Sequence, residues 1–291
     1  VQCECGQPLL CEHTHCFRCD RTLGFDPVNV VMYSLTEDAN GTLRDERDDA
    51  FVLCANRRLH GVCNGVARVF ESTTDATLCS GCQLNRTIPV LHRDDNVALW
   101  QRLETAKRRM LVGLHARGLP VFTKTGSTEV RMRFDFVEDQ RSNPDMGDSF
   151  ITTGYGGGVI TINLLEADHV ERLTQQELMG ESYRTLLGHF RHEVGHYYYQ
   201  NLIHHEAQVR AVVGDPPADY AAATAAYYED GPPPQWGQHY ISAYSASHPL
   251  EDWAESFAHL LHLHDTMETA AIHGLTATEA SPTTFSQTLT A

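Results

Sequence analysis

Cysteine is absent from residues 83–291, and basic side chains are scarce throughout. Only 22 Lys and Arg oppose 38 Asp and Glu, leaving a net charge of −16. A chain this acidic is a poor general partner for phosphate backbones and for anionic membrane surfaces, so neither a nucleic-acid nor a membrane partner is expected. The Arg pair at 57–58 and the KRR run at 107–109 are short and read as solvated faces. No apolar run reaches the ~18 residues of a membrane-spanning helix. The first residues are polar and cysteine-rich, without the pattern of a secretory leader. The 291 residues suffice for one large domain or two smaller ones.

All nine cysteines lie within residues 3–82. An odd number, clustered in pairs, suits metal binding in a reducing compartment better than a disulfide framework, and predicts a cytoplasmic protein. Cys3, Cys5, Cys16 and Cys19 form one group of four, and Cys54, Cys63, Cys79 and Cys82 another. The first group offers two thiolate pairs on tight turns and the second, despite the irregular eight-residue gap between Cys54 and Cys63, closes on a standard Cys79/Cys82 pair, so each supplies the donor set of a tetrahedral zinc. Four thiolates leave no open position, so both zincs are expected to be structural. Such small lobes depend on metal to fold. The one-residue gap between Cys3 and Cys5 is unusual, and Cys11, His13 or His15 could replace one of them. Otherwise Cys11 is left over, with no feature that marks an activated thiolate.

The cysteine boundary divides the chain into a double zinc-ribbon region, 1–92, and a second domain, 93–291. The fold class expected is α+β: a small β-rich ribbon region, then a mainly helical domain with a small sheet. In the first region VNVVMYSL, DAFVLCA and GVARVF read as short strands. From Asp94 to Gly118 apolar residues recur at helical spacing. Residues 130–137 alternate and read as one strand, and 150–164 as two strand pieces around a Gly-rich turn. One long helix is expected from Thr174 or Gln175 to Ile203, with His204 and His205 at its end. Two further helices are expected, over 219–231 and 250–270, and a frayed tail from Thr276.

The expected long helix carries HEVGH, residues 192–196. Among 17 histidines, chance alone would give His-Glu-x-x-His in roughly 6% of such chains, so the context decides. On a helix His192 and His196 share a face and can converge on one cation. Glu193, one step round, can accept a proton from a water that the metal activates. Gly195 would let a neighbouring element approach closely. A catalytic zinc needs a third protein ligand and an open position. The segment 244–261 supplies acids: Glu251 and Glu255 are four apart, so one can ligate while the other orients a histidine. Pro249 suits the first turn of that helix.

HEVGH followed by Tyr-x6-Glu-x3-Glu resembles the gluzincin peptidases, notably the lethal factor and Mlc titration factor type. The resemblance implies that Glu251 is the third ligand, Glu255 orients a ligand histidine, and Tyr244 stabilises the tetrahedral intermediate. Asp252 or Glu255 as ligand remain alternatives, and Tyr240 and Tyr155 rival Tyr244. Over nearly its whole length the chain also resembles a bacterial family of zinc metallopeptidases with an N-terminal zinc ribbon. The matching stretches are THCFRCDRTLGFDP, CQLNRTIPVL, YRTLLGHFRHEVGHYYY and SHPLEDWAESFAHLLH. The Cys3-x-Cys5 gap departs from that pattern.

A zinc peptidase is therefore expected, with one catalytic and two structural zincs and a protein or peptide substrate. His192, His196 and Glu251 would hold the catalytic metal and Glu193 would act as general base. Val159 to Leu164 is expected to be an edge strand that pairs with extended substrate. His189 reads as a support or core residue, and His259, His262 and His264 as packing or surface histidines. The rival expectation is a catalytically silent scaffold whose ribbons recruit a protein partner.

Overall fold

The computed structural model describes residues 1–70, 77–93, 95–125, 128–179, 184–203, 207–214 and 219–275. His204, His205 and the tail from Thr276 lie outside them.

The short apolar runs of the first region form an antiparallel five-stranded meander: β1 (Thr22–Asp26), β2 (Val31–Glu37), β3 (Leu43–Arg44), β4 (Ala50–Leu53) and β5 (Val66–Arg68), paired in chain order. One cysteine group precedes β1. The other gathers at the far end, where a short helix α1 (Ala55–His60) joins β4 to the turn before β5.

Beyond Cys82 the chain enters a second sheet at once, through β6 (Asn85–Thr87). The long helix α2 (Asn96–His115) follows, then a hairpin, β7 (Phe122–Thr125) and β8 (Thr128–Arg131), and strands β9 (Phe134–Val137), β10 (Gly154–Gly156) and β11 (Val159–Asn163). The second sheet has the order β10-β11-β9-β6. Only β10 runs antiparallel to its neighbour. Residues 130–137 are thus not one strand. Met132, fully buried, returns its N–H to the Val121 carbonyl, and this bend ends β8 before β9 begins.

Helices α3 (His169–Met179), α4 (Leu186–Tyr198), α5 (Ala207–Val213), α6 (Tyr220–Asp230) and α7 (Pro249–Ile272) complete the described fold. The single helix expected from residue 174 to 203 is two helices. Thr185 is extended and its hydroxyl accepts from Gly188 N–H, so a new helix is capped there. After α4, residues Tyr199–Ile203 widen into a π-turn.

One core joins α2, α4 and the second sheet. Trp100, Leu103, Met110, Phe134, Phe136, Ile160, Ile162, Phe190, Val194 and Tyr197 are all fully buried within it. Leu84, at the end of the cysteine-rich region, belongs to the same core. A buried polar cluster sits beside it. Lys107 pairs with Glu104 at 2.8 Å and bonds Asn85 of β6, while Glu104 accepts from Asn85 and from the Trp100 indole. Buried charges of this kind are tolerated only when paired and hydrogen-bonded, as here.

The expected substrate strand is misplaced. β11 is paired on both sides, to β10 and β9, and has no free edge to offer. The edges of this sheet are β10 and β6, and β10 is the one next to β11. Strands β10 and β11 both lie against α4, the helix that carries HEVGH.

Candidate metal centre

Helix α4 presents His192 and His196 on one face, their Nε2 atoms 3.1 Å apart. Helix α7 begins with the sequence HPLE. His248 caps it by accepting the Leu250 N–H at Nδ1, and Pro249 occupies the first turn. That places Glu251 one turn inside α7, only 1% exposed, facing the two imidazoles. Glu251 Oε2 lies 3.0 Å from His192 Nε2, and Oε1 lies 3.5 Å from His196 Nε2. The three donor atoms fall within 4.8 Å of one another.

One turn further along α7, Glu255 Oε1 lies 2.8 Å from His192 Nδ1. A neutral imidazole that donates there keeps a bare lone pair at Nε2. That lone pair then faces a second imidazole nitrogen and a buried carboxylate oxygen that has no hydrogen-bond partner. Electron-rich atoms crowded in this way call for a cation between them, and two histidines with one carboxylate are a common zinc donor set. Burial opposes ionisation of Glu251, but the two imidazoles hold its carboxyl well below the usual carboxylate range. The structure thus brings Glu251, not Asp252, to the histidines, and gives Glu255 to the far nitrogen of His192.

Glu193 is buried beside the site, and its Oε2 has no hydrogen-bond partner. Burial pushes its carboxyl pKa up, which makes it a better proton acceptor. The Tyr244 ring lies 6.0 Å from that of His192. Burial, reinforced by the Glu251 carboxylate, pushes its phenol up and keeps it a donor. Of its rivals, Tyr155 is engaged with Asn201 and Tyr240 is exposed. His189 sits 2.9 Å from Glu166, in the turn that follows β11.

Gly195 explains how α4 and α7 come close enough to share a site. A Cβ there would fall 3.0 Å from the Ala254 Cα, against helix backbone that cannot give cheaply. The Gly195 carbonyl also accepts from the Trp253 indole at 2.9 Å. Gly195→Ala should therefore push α7 outward, costing about 1–3 kcal/mol and separating Glu251 from the histidines. Urea midpoints and zinc competition would check it; wild-type values in both would refute the packing argument.

The cysteines also gather as two sets of four: Cys3, Cys5, Cys16, Cys19, and Cys54, Cys63, Cys79, Cys82. The short Cys3-x-Cys5 gap suffices. Cys3 lies 3.6 Å from Cys19, and Cys5 lies 3.6 Å from Cys16. Cys11 stands apart, its thiol donating to Glu12; burial and that carboxylate push it up to about 11. His13 and His15 pack on Phe17 instead of joining the thiols. In the second set Gly65 is obligatory, because a Cβ there would lie 2.3 Å from Cys79 Sγ.

The sequence reading missed Tyr220, whose hydroxyl reaches Glu251 from α6. It also missed the capping role of His248, for which the Ser-His-Pro string at the helix start was the available signal.

Two histidines that converge with a buried acid, together with two groups of four cysteines, are donor sets of the kind that hold zinc. The chain belongs to the family described as "Putative zinc-binding metallo-peptidase", whose model matches residues 96–290; a zinc-ribbon domain model matches residues 1–93. Uncharacterized proteins of Mycobacterium bovis and Mycobacterium tuberculosis are each 36% identical to it over 281 residues, covering 95% of this chain and 76% of the relative. No solved structure matches the chain. No helix among the described residues is long and apolar enough to cross a membrane.

Proposed function

We propose that the protein is a zinc-dependent peptidase of the gluzincin type, holding one catalytic and two structural zincs. The observation that carries this reading is the meeting of His192, His196 and Glu251, with Glu255 on the far nitrogen of His192. A bound zinc would supply Lewis-acid polarisation of the scissile carbonyl and would acidify the attacking water. The chain's own groups do the rest. Glu193, buried and unpartnered at Oε2, takes the proton from the attacking water and returns it to the leaving amine. Tyr244 donates a hydrogen bond to the oxygen that gains charge. Glu255 holds the His192 ring in the ligating tautomer. Extended substrate pairs with the open edge of β10. Protein or peptide is the substrate class, the ribbons are a surface for a protein partner, and the cytoplasm is the compartment.

Zinc stoichiometry tests the reading. Three zincs per chain are expected, one of them lost on His196→Ala. Two zincs, both dependent on cysteine, would overturn the reading in favour of a scaffold.

A further inference from the structure

Tyr220 stands 31 residues before Glu251 and belongs to no motif of the site. It opens α6, whose start is fixed by Asp219 capping the Ala222 N–H at 2.9 Å and by Thr224 bonding the Tyr220 carbonyl. From there its hydroxyl donates to Glu251 Oε1 at 2.6 Å. Its ring stands edge-on to His248, centroids 4.9 Å apart, and His248 is the cap of the helix that carries Glu251.

The two oxygens of Glu251 are therefore treated differently. Oε2 faces His192 Nε2 at 3.0 Å and has no hydrogen-bond partner, whereas Oε1, farther from its histidine at 3.5 Å from His196 Nε2, receives a short bond from a phenol. A donor on Oε1 fixes the rotation of the carboxylate and occupies one of that oxygen's lone pairs. It leaves Oε2, which carries no such bond, with its lone pairs free toward His192. Partners that orient a ligand in this way are commonly worth 10–100-fold in metal affinity.

We propose that Tyr220 is a positioning residue that sets Glu251 to ligate through a single oxygen, Oε2. The proposal rests on the zinc reading of the His192, His196 and Glu251 cluster. Its effect should appear in metal affinity, before any turnover is measured.

Tyr220→Phe keeps the ring against His248 and removes only the hydroxyl. In the full zinc-loaded chain, competition with chelators of graded strength should release the third zinc at least about tenfold more readily than in wild type. The two cysteine-held zincs should be unchanged. The urea midpoint of chains carrying only those two zincs should match wild type, and excess zinc should restore turnover of the variant. A third zinc held with wild-type affinity overturns the role of Tyr220. Equal loosening of all three zincs also overturns it, because that marks a general structural defect. If wild type itself holds only two zincs, the zinc reading falls, and the proposal with it.

Discussion

Glu193→Gln should retain all three zincs and lose turnover by about 10²–10⁴-fold, the range that general acid–base groups supply. The substitution keeps the shape of the side chain and removes only its capacity to accept a proton. Nothing in the ligand set changes, because Glu193 is beside the histidines on α4 and is not among the converging donors. Its Oε2 is buried without a hydrogen-bond partner, an arrangement that costs about 1–3 kcal/mol for an ordinary side chain. The variant should therefore be at least as stable as wild type while inactive. A cleavage profile on a peptide library, run beside zinc analysis of the same preparation, reads both quantities. Full activity in the variant would sink the mechanism; loss of the third zinc would make Glu193 a structural residue.

The second large effect concerns the second cysteine group. Cys82→Ser should destabilise the helical domain as well as the ribbon. Cys82 opens the turn Cys82–Leu84, and the next residue begins β6, which pairs with β9 in the second sheet. Leu84 is buried in the core with α2, and Asn85 joins the buried Glu104 and Lys107. Structural zinc in small peptides contributes about 10–16 kcal/mol at neutral pH, comparable with the ~5–15 kcal/mol that holds a whole domain. Released from its zinc, this segment should give up the β6 edge and leave paired groups on α2 exposed. Cys19→Ser makes the contrast, since Cys19 is exposed and its group packs around Leu9 and Leu23 in a separate small core. Melting curves and limited proteolysis of both variants should show the helical domain weakened by the first change and spared by the second. A Cys82→Ser protein that lacks its zinc yet melts like wild type would refute the coupling.

Much of this could be read from residue spacing. Helices α2 and α7 follow apolar periodicity and end near the predicted residues, because local pattern and tertiary burial agree there, whereas α6, which buries no side chain, was legible from its alanines and its stop at Gly231. The i, i+4 pairs His192/His196 and Glu251/Glu255 were visible as pairs, but only α7 packed on α4 decides which acid meets which nitrogen. Three features were hidden for physical reasons. The break between α3 and α4 depends on a single Thr185 cap, and the bend at Met132 on one returning backbone bond. Which strand lies at the sheet edge is a matter of pairing order, which apolar alternation does not encode. Tyr220 reaches Glu251 across 31 residues of chain, and no spacing rule covers that distance.

The close approach of α4 and α7 at Gly195 and Ala254 has one further consequence. The donors on the two helices, His196 and Glu251, are separated by a loop of about 55 residues, so a metal held by both acts on the chain as a cross-link. By loop-closure arithmetic a link over such a span removes unfolded-state entropy worth about 4 kcal/mol. The metal that would serve the reaction would thereby also fasten α7, and with it Tyr244 and the helix start at His248, to the rest of the domain. Holo and apo chains should then differ in how readily the C-terminal third detaches, a difference that amide exchange would register along α7.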